Sequence, residues 1–232
     1  MLDLLLQFTN FVSIIFEPKE MIKIKRFVFN FFQVNTFVLY DDTKECIIID
    51  PGCIEANEKK ELLDFIYENE LTPVKLLNTH THIDHILGDV FITESYGLKP
   101  EIHEGGLPFM EHLKESANAF DIVIDTVPVA GKYLHDGDLV KFGNSSLEVL
   151  ETPGHADGSI CFYSKEQKFV IVGDVLFQQS IGRTDLPTGD FDLLAKSIKE
   201  KLYTLPEETV VYPGHGPETS IGFEMRNNPF VN

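Results

Sequence analysis

The sequence has 232 residues, 43% of them hydrophobic and 11% aromatic, which fits one domain with a substantial core and excludes a collagen-like, disordered or disulfide-rich chain. Nineteen basic residues against 37 acidic ones leave a formal charge of −18, which argues against binding to nucleic-acid backbones or anionic membrane surfaces. Cys46, Cys53 and Cys161 are odd in number and form no CxxC spacing, so they read as packing residues of a chain in a reducing compartment, the cytoplasm.

Taken in chain order, the first residues are apolar, but they lack the basic start and small-residue cleavage site of a secretory signal, and the run is shorter than the ~18 residues of a membrane span. Residues 1–20 read as an apolar extension on a domain spanning 21–232, or as a start assigned too far upstream, with Met21 the alternative. Lys23 to Tyr40 predicts two strands with a turn near Asn30 to Asn35, and Glu45 to Asp50 a short buried strand stopped by Pro51-Gly52. Leu62, Leu63, Ile66 and Tyr67 recur at helical spacing within Glu55 to Leu71. Val74 to Leu77 reads as a strand, and Ile86 to Tyr96 and Leu107 to Ala119 as helices. Turns follow at Ala130-Gly131 and Asp136-Gly137. Leu147 to Leu150, Phe169 to Val172 and Thr209 to Tyr212 are β-branched apolar runs, and Asp190 opens a capped helix to Leu202. This mixture predicts a layered α/β protein.

Four of the buried strand candidates run into metal-ligand residues. VKLLN leads into Thr79-His80-Thr81-His82-Ile83-Asp84-His85, LEVLE into Pro153-Gly154-His155, KFVIV into Gly173-Asp174, and ETVVY into Pro213-Gly214-His215. Read as parallel-type strands, they deliver these loops to one sheet edge, so His80, His82, Asp84, His85, His155, Asp174 and His215 are expected to converge. Imidazole and carboxylate suit Zn and, with less discrimination, Fe or Mn. In HxHxDH the two outer imidazoles can hold one ion while the Asp and the adjacent His turn to a second, and Asp174 can bridge both. Two dications outweigh two carboxylates and a bridging hydroxide, leaving a positive site able to accept a developing oxyanion. His103, His112 and His135 lie outside these segments and read as solvated or hydrogen-bonded side chains, and Tyr163 and Phe177 as core residues.

The HxHxDH run, PGHADGS, GDVLF and GHGP, in that order, resemble the metallo-β-lactamase superfamily from Met21 onward. The resemblance implies an αββα sandwich of two mixed β-sheets flanked by helices. It implies one metal on His80, His82 and His155, a second on Asp84, His85 and His215, and Asp174 between them. Asp50, in IIIDPG, would orient a ligand imidazole. Within the superfamily, SIGRTD at 180–185 and the ending GHGPETSIGFEMRNNPF are similar to short glyoxalase II-like hydrolases. That likeness implies two divalent ions, zinc foremost, and hydrolysis of a small thioester of the hydroxyacylglutathione type by a metal-bridging hydroxide. Asp84 and Asp174 would be its catalytic carboxylates, and Arg183 a grip for a substrate carboxylate. Full-length glyoxalase II proteins add a C-terminal helical domain that supplies much of the glutathione pocket, a part of the pattern from which this sequence departs. Persulfide dioxygenases share the fold and a similar Gly-Arg-Thr-Asp segment, with one Fe(II) that would fall here on His80, His155 and Asp174. A superfamily nuclease would need a basic surface, and a β-lactamase an export signal. A non-catalytic metal-binding module would predict substituted ligands, and all seven are in place.

Overall fold

The computed structural model describes residues 21–231, so the apolar extension read over 1–20 lies outside the described residues. The first half runs β1 (Lys23–Phe29), β2 (Val34–Tyr40), β3 (Glu45–Ile49), α1 (Ala56–Glu68), β4 (Thr72–Leu77), α2 (Ile83–Ile86), α3 (Asp89–Tyr96), β5 (Pro100–Ile102), α4 (Leu107–Glu111), α5 (Leu113–Asn118) and β6 (Lys132–Tyr133). These strands form a mixed sheet in the order β1-β2-β3-β4-β5-β6, antiparallel up to β3 and parallel beyond it.

The second half runs β7 (Leu139–Phe142), β8 (Ser145–Glu151), β9 (Ile160–Ser164), β10 (Phe169–Gly173), β11 (Leu176–Phe177), β12 (Ser180–Ile181), α6 (Phe191–Ser197), β13 (Val210–Pro213), β14 (Thr219–Ser220) and α7 (Ile221–Asn227). Its sheet has the order β14-β13-β10-β9-β8-β7, with β11 and β12 as a separate ribbon.

Period-two alternation builds the layers. On β3, Ile47 and Ile49 face a core shared with Phe142, Leu147, Phe162 and Ile171 of the second sheet, while Cys46 and Ile48 pack against Leu62 and Ile66 of α1 and Ile92 of α3. On β10, Ile171 faces the first sheet, and Val170 and Val172 face Leu194 of α6 and Ile198 and Leu202 of the π-helical turn that continues it. Both sheets are thus apolar on both faces, and the expected αββα sandwich is what forms. All three cysteines are buried and free, and burial pushes each thiol up to about 12, which suits packing.

Several sequence expectations are corrected. The helix read over Ile86–Tyr96 is two pieces, broken where the Gly88 N–H leaves the helix to bond Pro51 O at 2.6 Å. The helix over Leu107–Ala119 breaks at His112, whose ring donates to Pro108 O at 2.7 Å. The capped helix is α-helical only to Ser197, although Asp190 caps it as expected, accepting from Leu193 N at 2.9 Å. The strand β8 is not parallel to its neighbours, since it pairs antiparallel with both β7 and β9. Because β10 is also antiparallel to β9, β8 and β10 run the same way, and β13 is parallel to β10. The C-terminal ends of β8, β10 and β13 therefore still reach one edge, as the convergence argument requires.

Candidate metal centre

All seven expected residues meet at that edge, arranged as overlapping groups whose donor atoms lie within 4.8 Å of one another: His80, His82 and His155; Asp84, His85 and His215; and His80, His85 and Asp174. Asp174 stands between the halves, with Oδ1 3.4 Å from His85 Nε2 and Oδ2 3.8 Å from His155 Nε2 and 3.6 Å from His215 Nε2. Asp84 Oδ2 lies 3.0 Å from His215 Nε2 and 3.6 Å from His85 Nε2.

Each loop is shaped to aim its donors. The chain turns at Asp50, a non-glycine residue in the left-handed region at φ 51°. The turn lets Asp50 accept from Thr79 N at 2.7 Å, Thr79 Oγ1 at 2.6 Å and His85 Nδ1–H at 3.0 Å. The carboxylate thus ties the His85 ring at Nδ1 to the end of β3. Thr79 Oγ1, having donated to Asp50, accepts from His80 Nδ1–H at 3.2 Å. His155 Nδ1–H donates to Arg183 O at 2.8 Å, and His215 Nδ1–H donates to Gln33 O at 3.1 Å. With those protons placed, the Nε2 atoms of His80, His85, His155 and His215 all point inward.

The GHG loop is held by Asn35, whose amide donates to Pro213 O and Gly216 O at 2.9 Å each. Gly214 and Gly182 let backbone press against the donors. A Cβ on Gly214 would stand 2.2 Å from Asp174 Oδ1 and 2.7 Å from His85 Cε1, and one on Gly182 would stand 3.0 Å from the His155 ring.

The donor set fits a cation better than it fits itself. His80 Nε2 and His155 Nε2 lie 3.1 and 3.0 Å from His82 Nδ1, so three imidazole nitrogens share a space that one proton at most can serve. His85 Nε2 and Asp174 Oδ1 are buried without a well-directed hydrogen-bond partner. Charge divides the cluster. Burial, reinforced by the neighbouring imidazoles, holds His80 well below the usual histidine range and His82 down at about 4, and burial also lowers His155. Burial works the same way on His85 and His215, but facing carboxylates override it and raise both, Asp84 foremost. In turn His85 outweighs burial and keeps Asp84 and Asp174 below the usual carboxylate range. Both carboxylates are ionised, and all seven side chains can act as donors at neutral pH once His85 and His215 shed their protons.

The cluster forms part of the wall of a cavity of about 390 Å³ whose lining includes Arg183 and a set of aromatic and aliphatic side chains. Arg183 does reach the cavity, but its guanidinium makes two 2.7 Å bonds to the carboxylate of Asp185. The lip is formed by Phe32, Phe109 and Phe120, which no motif in the sequence marks. Tyr163 is buried in the α6-side core as expected, whereas Phe177 is half-buried outside the core, in the β11–β12 ribbon, with its ring 6.4 Å from that of His215.

A separate trio, His103, His135 and Glu151, also has donor atoms close together. There His103 Nδ1 accepts from Gly105 N at 3.0 Å, so its proton sits on Nε2, facing Glu151 at 3.2 Å. That is a hydrogen-bonded loop clamp, in keeping with the reading of these histidines.

Comparison with known proteins agrees with this geometry. The model of the metallo-beta-lactamase superfamily matches residues 29–215. The chain belongs to that superfamily. Among its relatives, the hydroxyacylglutathione hydrolase GloC of Haemophilus influenzae is 38% identical over 87% of this chain and 94% of its own. The crystal structure of the BLEG-1 B3 metallo-beta-lactamase is 37% identical with a TM-score of 0.80, covering 90% of this chain and 100% of that one. TTHA1623, solved in a di-iron-bound form, is 35% identical with a TM-score of 0.80, covering 89% and 99%. The superfamily and the His/Asp clusters together indicate a divalent-metal site in a metallo-hydrolase. No helix among the described residues is long and apolar enough to cross a membrane.

Proposed function

We propose that this chain hydrolyses a thioester at a binuclear metal centre. The observation that carries the reading is the pair of adjacent donor groups sharing Asp174 on the wall of one cavity. His80, His82 and His155 would hold one divalent ion, Asp84, His85 and His215 the other, and Asp174 both. Zinc is the ion best matched to this nitrogen and oxygen set, with iron or manganese the alternatives. When bound, such a pair acidifies water and polarises a carbonyl.

The chain's own residues do the rest. Asp50, Thr79 and the carbonyls of Gln33 and Arg183 fix the imidazole tautomers. Asp84, kept ionised beside His85 and His215, lies in the cavity wall where it can both serve as a donor and hold the attacking water in line by accepting its hydrogen bond. A thiol leaves as thiolate with a pKa of about 8.5, so a thioester needs no strong general acid here. The GloC relative supports a thioester over an amide or phosphodiester.

The test is metal analysis of protein purified without added metal, combined with S-lactoylglutathione and simple thioester turnover and an oxygen electrode. Two ions per chain and hydrolysis without oxygen uptake are expected. One iron per chain with oxygen consumed on glutathione persulfide would overturn the reading in favour of a mononuclear dioxygenase on His80, His155 and Asp174. Retained metal without turnover would favour a binding module. A mononuclear centre leaves the Asp84, His85 and His215 group, gathered around the buried His85, without a purpose, which is why the binuclear reading is preferred.

A further inference from the structure

The wall of the cavity beyond the seven donors carries information the motif does not. Phe32, in the turn between β1 and β2, stacks against Phe31 at 4.2 Å between ring centroids and meets Phe120, just after α5, edge-on at 4.9 Å. Phe109 of α4 lies edge-on to His82 at 5.0 Å, so the apolar wall begins at the metal donors themselves. Leu113, Leu186 and Pro187 extend it. Phe120 is 46% exposed and Phe32 and Phe109 are half-buried, so the lip presents aromatic faces to the cavity, and Phe31, 62% exposed, backs Phe32 from outside it.

Cationic recognition is scarce by contrast. Among the described residues, Arg183 is the single Lys or Arg of the lining, and its guanidinium makes two parallel hydrogen bonds to Asp185. Glutathione carries two carboxylates and one ammonium, and would approach a chain of net charge −18 with no free cation in this wall to receive it.

We propose that the cavity selects thioesters bearing an uncharged aryl or branched-alkyl group, and takes glutathione thioesters poorly. The apolar group lies against Phe32, Phe109 and Phe120 while the thioester carbonyl reaches the donors. This inference rests on the thioester-hydrolase reading and names its substrate class.

The experiment uses the full, metal-loaded chain. Acetyl and phenylacetyl thioesters of one small neutral thiol are compared with S-lactoylglutathione by kcat/KM. The phenylacetyl ester is expected to exceed the acetyl ester by about ten- to a hundredfold, the gain of burying one benzyl-sized group, and S-lactoylglutathione to fall below both. Phe120→Ala should cut the phenylacetyl-to-acetyl ratio by about tenfold, and Phe120→Leu should restore most of it. Binding of a neutral benzyl ketone isostere, the thioester sulfur replaced by CH2, is measured by calorimetry against S-methylglutathione. A preference for S-lactoylglutathione, or a ratio unmoved by Phe120→Ala, overturns the selectivity and leaves the hydrolase standing. Tight isostere binding without turnover of any thioester overturns the hydrolase and leaves the apolar site standing, and failure of both removes both.

Discussion

The two sheets supply the centre in different ways. The first contributes four donors within six residues, His80 to His85, on the segment that leaves β4 and enters α2, and braces them from its own strand ends through Asp50, just after β3, and Thr79, just after β4. The second contributes His155, Asp174 and His215, one from beyond the end of each of three strands, with His155 and His215 braced through backbone carbonyls, Arg183 O and, from the first sheet, Gln33 O. The first share's donors are neighbours in sequence and need β3 beside β4 to aim them. The second share's donors are brought together by strand order alone, and the brace on His215 crosses from the first sheet, so the centre reports on the sandwich as a whole.

Removing the residue that joins the two shares should have the largest effect. Asp174→Ala takes a carboxylate from both groups, and kcat/KM is expected to fall about a thousandfold, since a metal centre supplies several kcal/mol of charge stabilisation. Metal content measured on the same sample should fall with it. Unchanged metal content and activity would show that the sheets do not share a centre. Next comes Gly214→Ala on the second-sheet side. Its Cβ would overlap Asp174 Oδ1 and His85 Cε1, and a shift of about 1 Å in such groups can cost about a hundredfold in rate. Melting temperature separates a misplaced donor from a failed fold. Asp50→Asn probes the local brace of the first sheet. With one carboxylate oxygen replaced by an amide, either Thr79 N loses its acceptor or Thr79 Oγ1 and His85 Nδ1 lose theirs together, and the expected loss in activity or metal affinity is about 10- to 100-fold, read by chelator competition.

The same contrast explains what could be read from the chain. HxHxDH is legible because four donors sit side by side, and the strand-then-GH or GD pattern made the second sheet's donors legible one by one. Two braces, the carbonyls of Gln33 and Arg183, carry no side-chain signature and no sequence signal. Thr79 does carry one, standing immediately before His80. The antiparallel pairing of β8 has no sequence signal, because its partner β9, ICFYS, is a run buried on both faces with no alternation to mark it. The aromatic lip was hidden because an exposed Phe and a core Phe look alike in a sequence with 19 of them. The breaks at Gly88 and His112 come from tertiary or side-chain bonds that outbid helix periodicity.

The smallest expected effect lies far from the donors, where the two sheets are tied to each other. Asp41, fully buried after β2, accepts from Thr43 N at 3.0 Å and Thr43 Oγ1 on one oxygen, and from Asn144 N and Ser145 Oγ at 2.8 Å each on the other. It thereby clamps the β2–β3 turn to the β7–β8 turn. Burial alone would raise its pKa, but these four donors lower it below the usual carboxylate value. A depressed folded pKa contributes stability that is complete above the unfolded value of about 3.9 and is lost as pH falls through the folded value. Asp41→Asn turns an NH2 toward N–H and O–H donors and should cost about 1–3 kcal/mol at pH 7, a melting shift of roughly 2–12 °C for a chain this size. The gap between wild type and variant should narrow as pH is taken below about 4, because the wild-type carboxylate then protonates and loses the same bonds. Turnover at 25 °C and pH 7 should stay within about twofold, since each half of the centre keeps its own braces. A large loss of turnover in folded protein would mean that register at this far end is transmitted to the second-sheet donors, and that the first sheet's loop is less self-sufficient than its hydrogen bonds indicate.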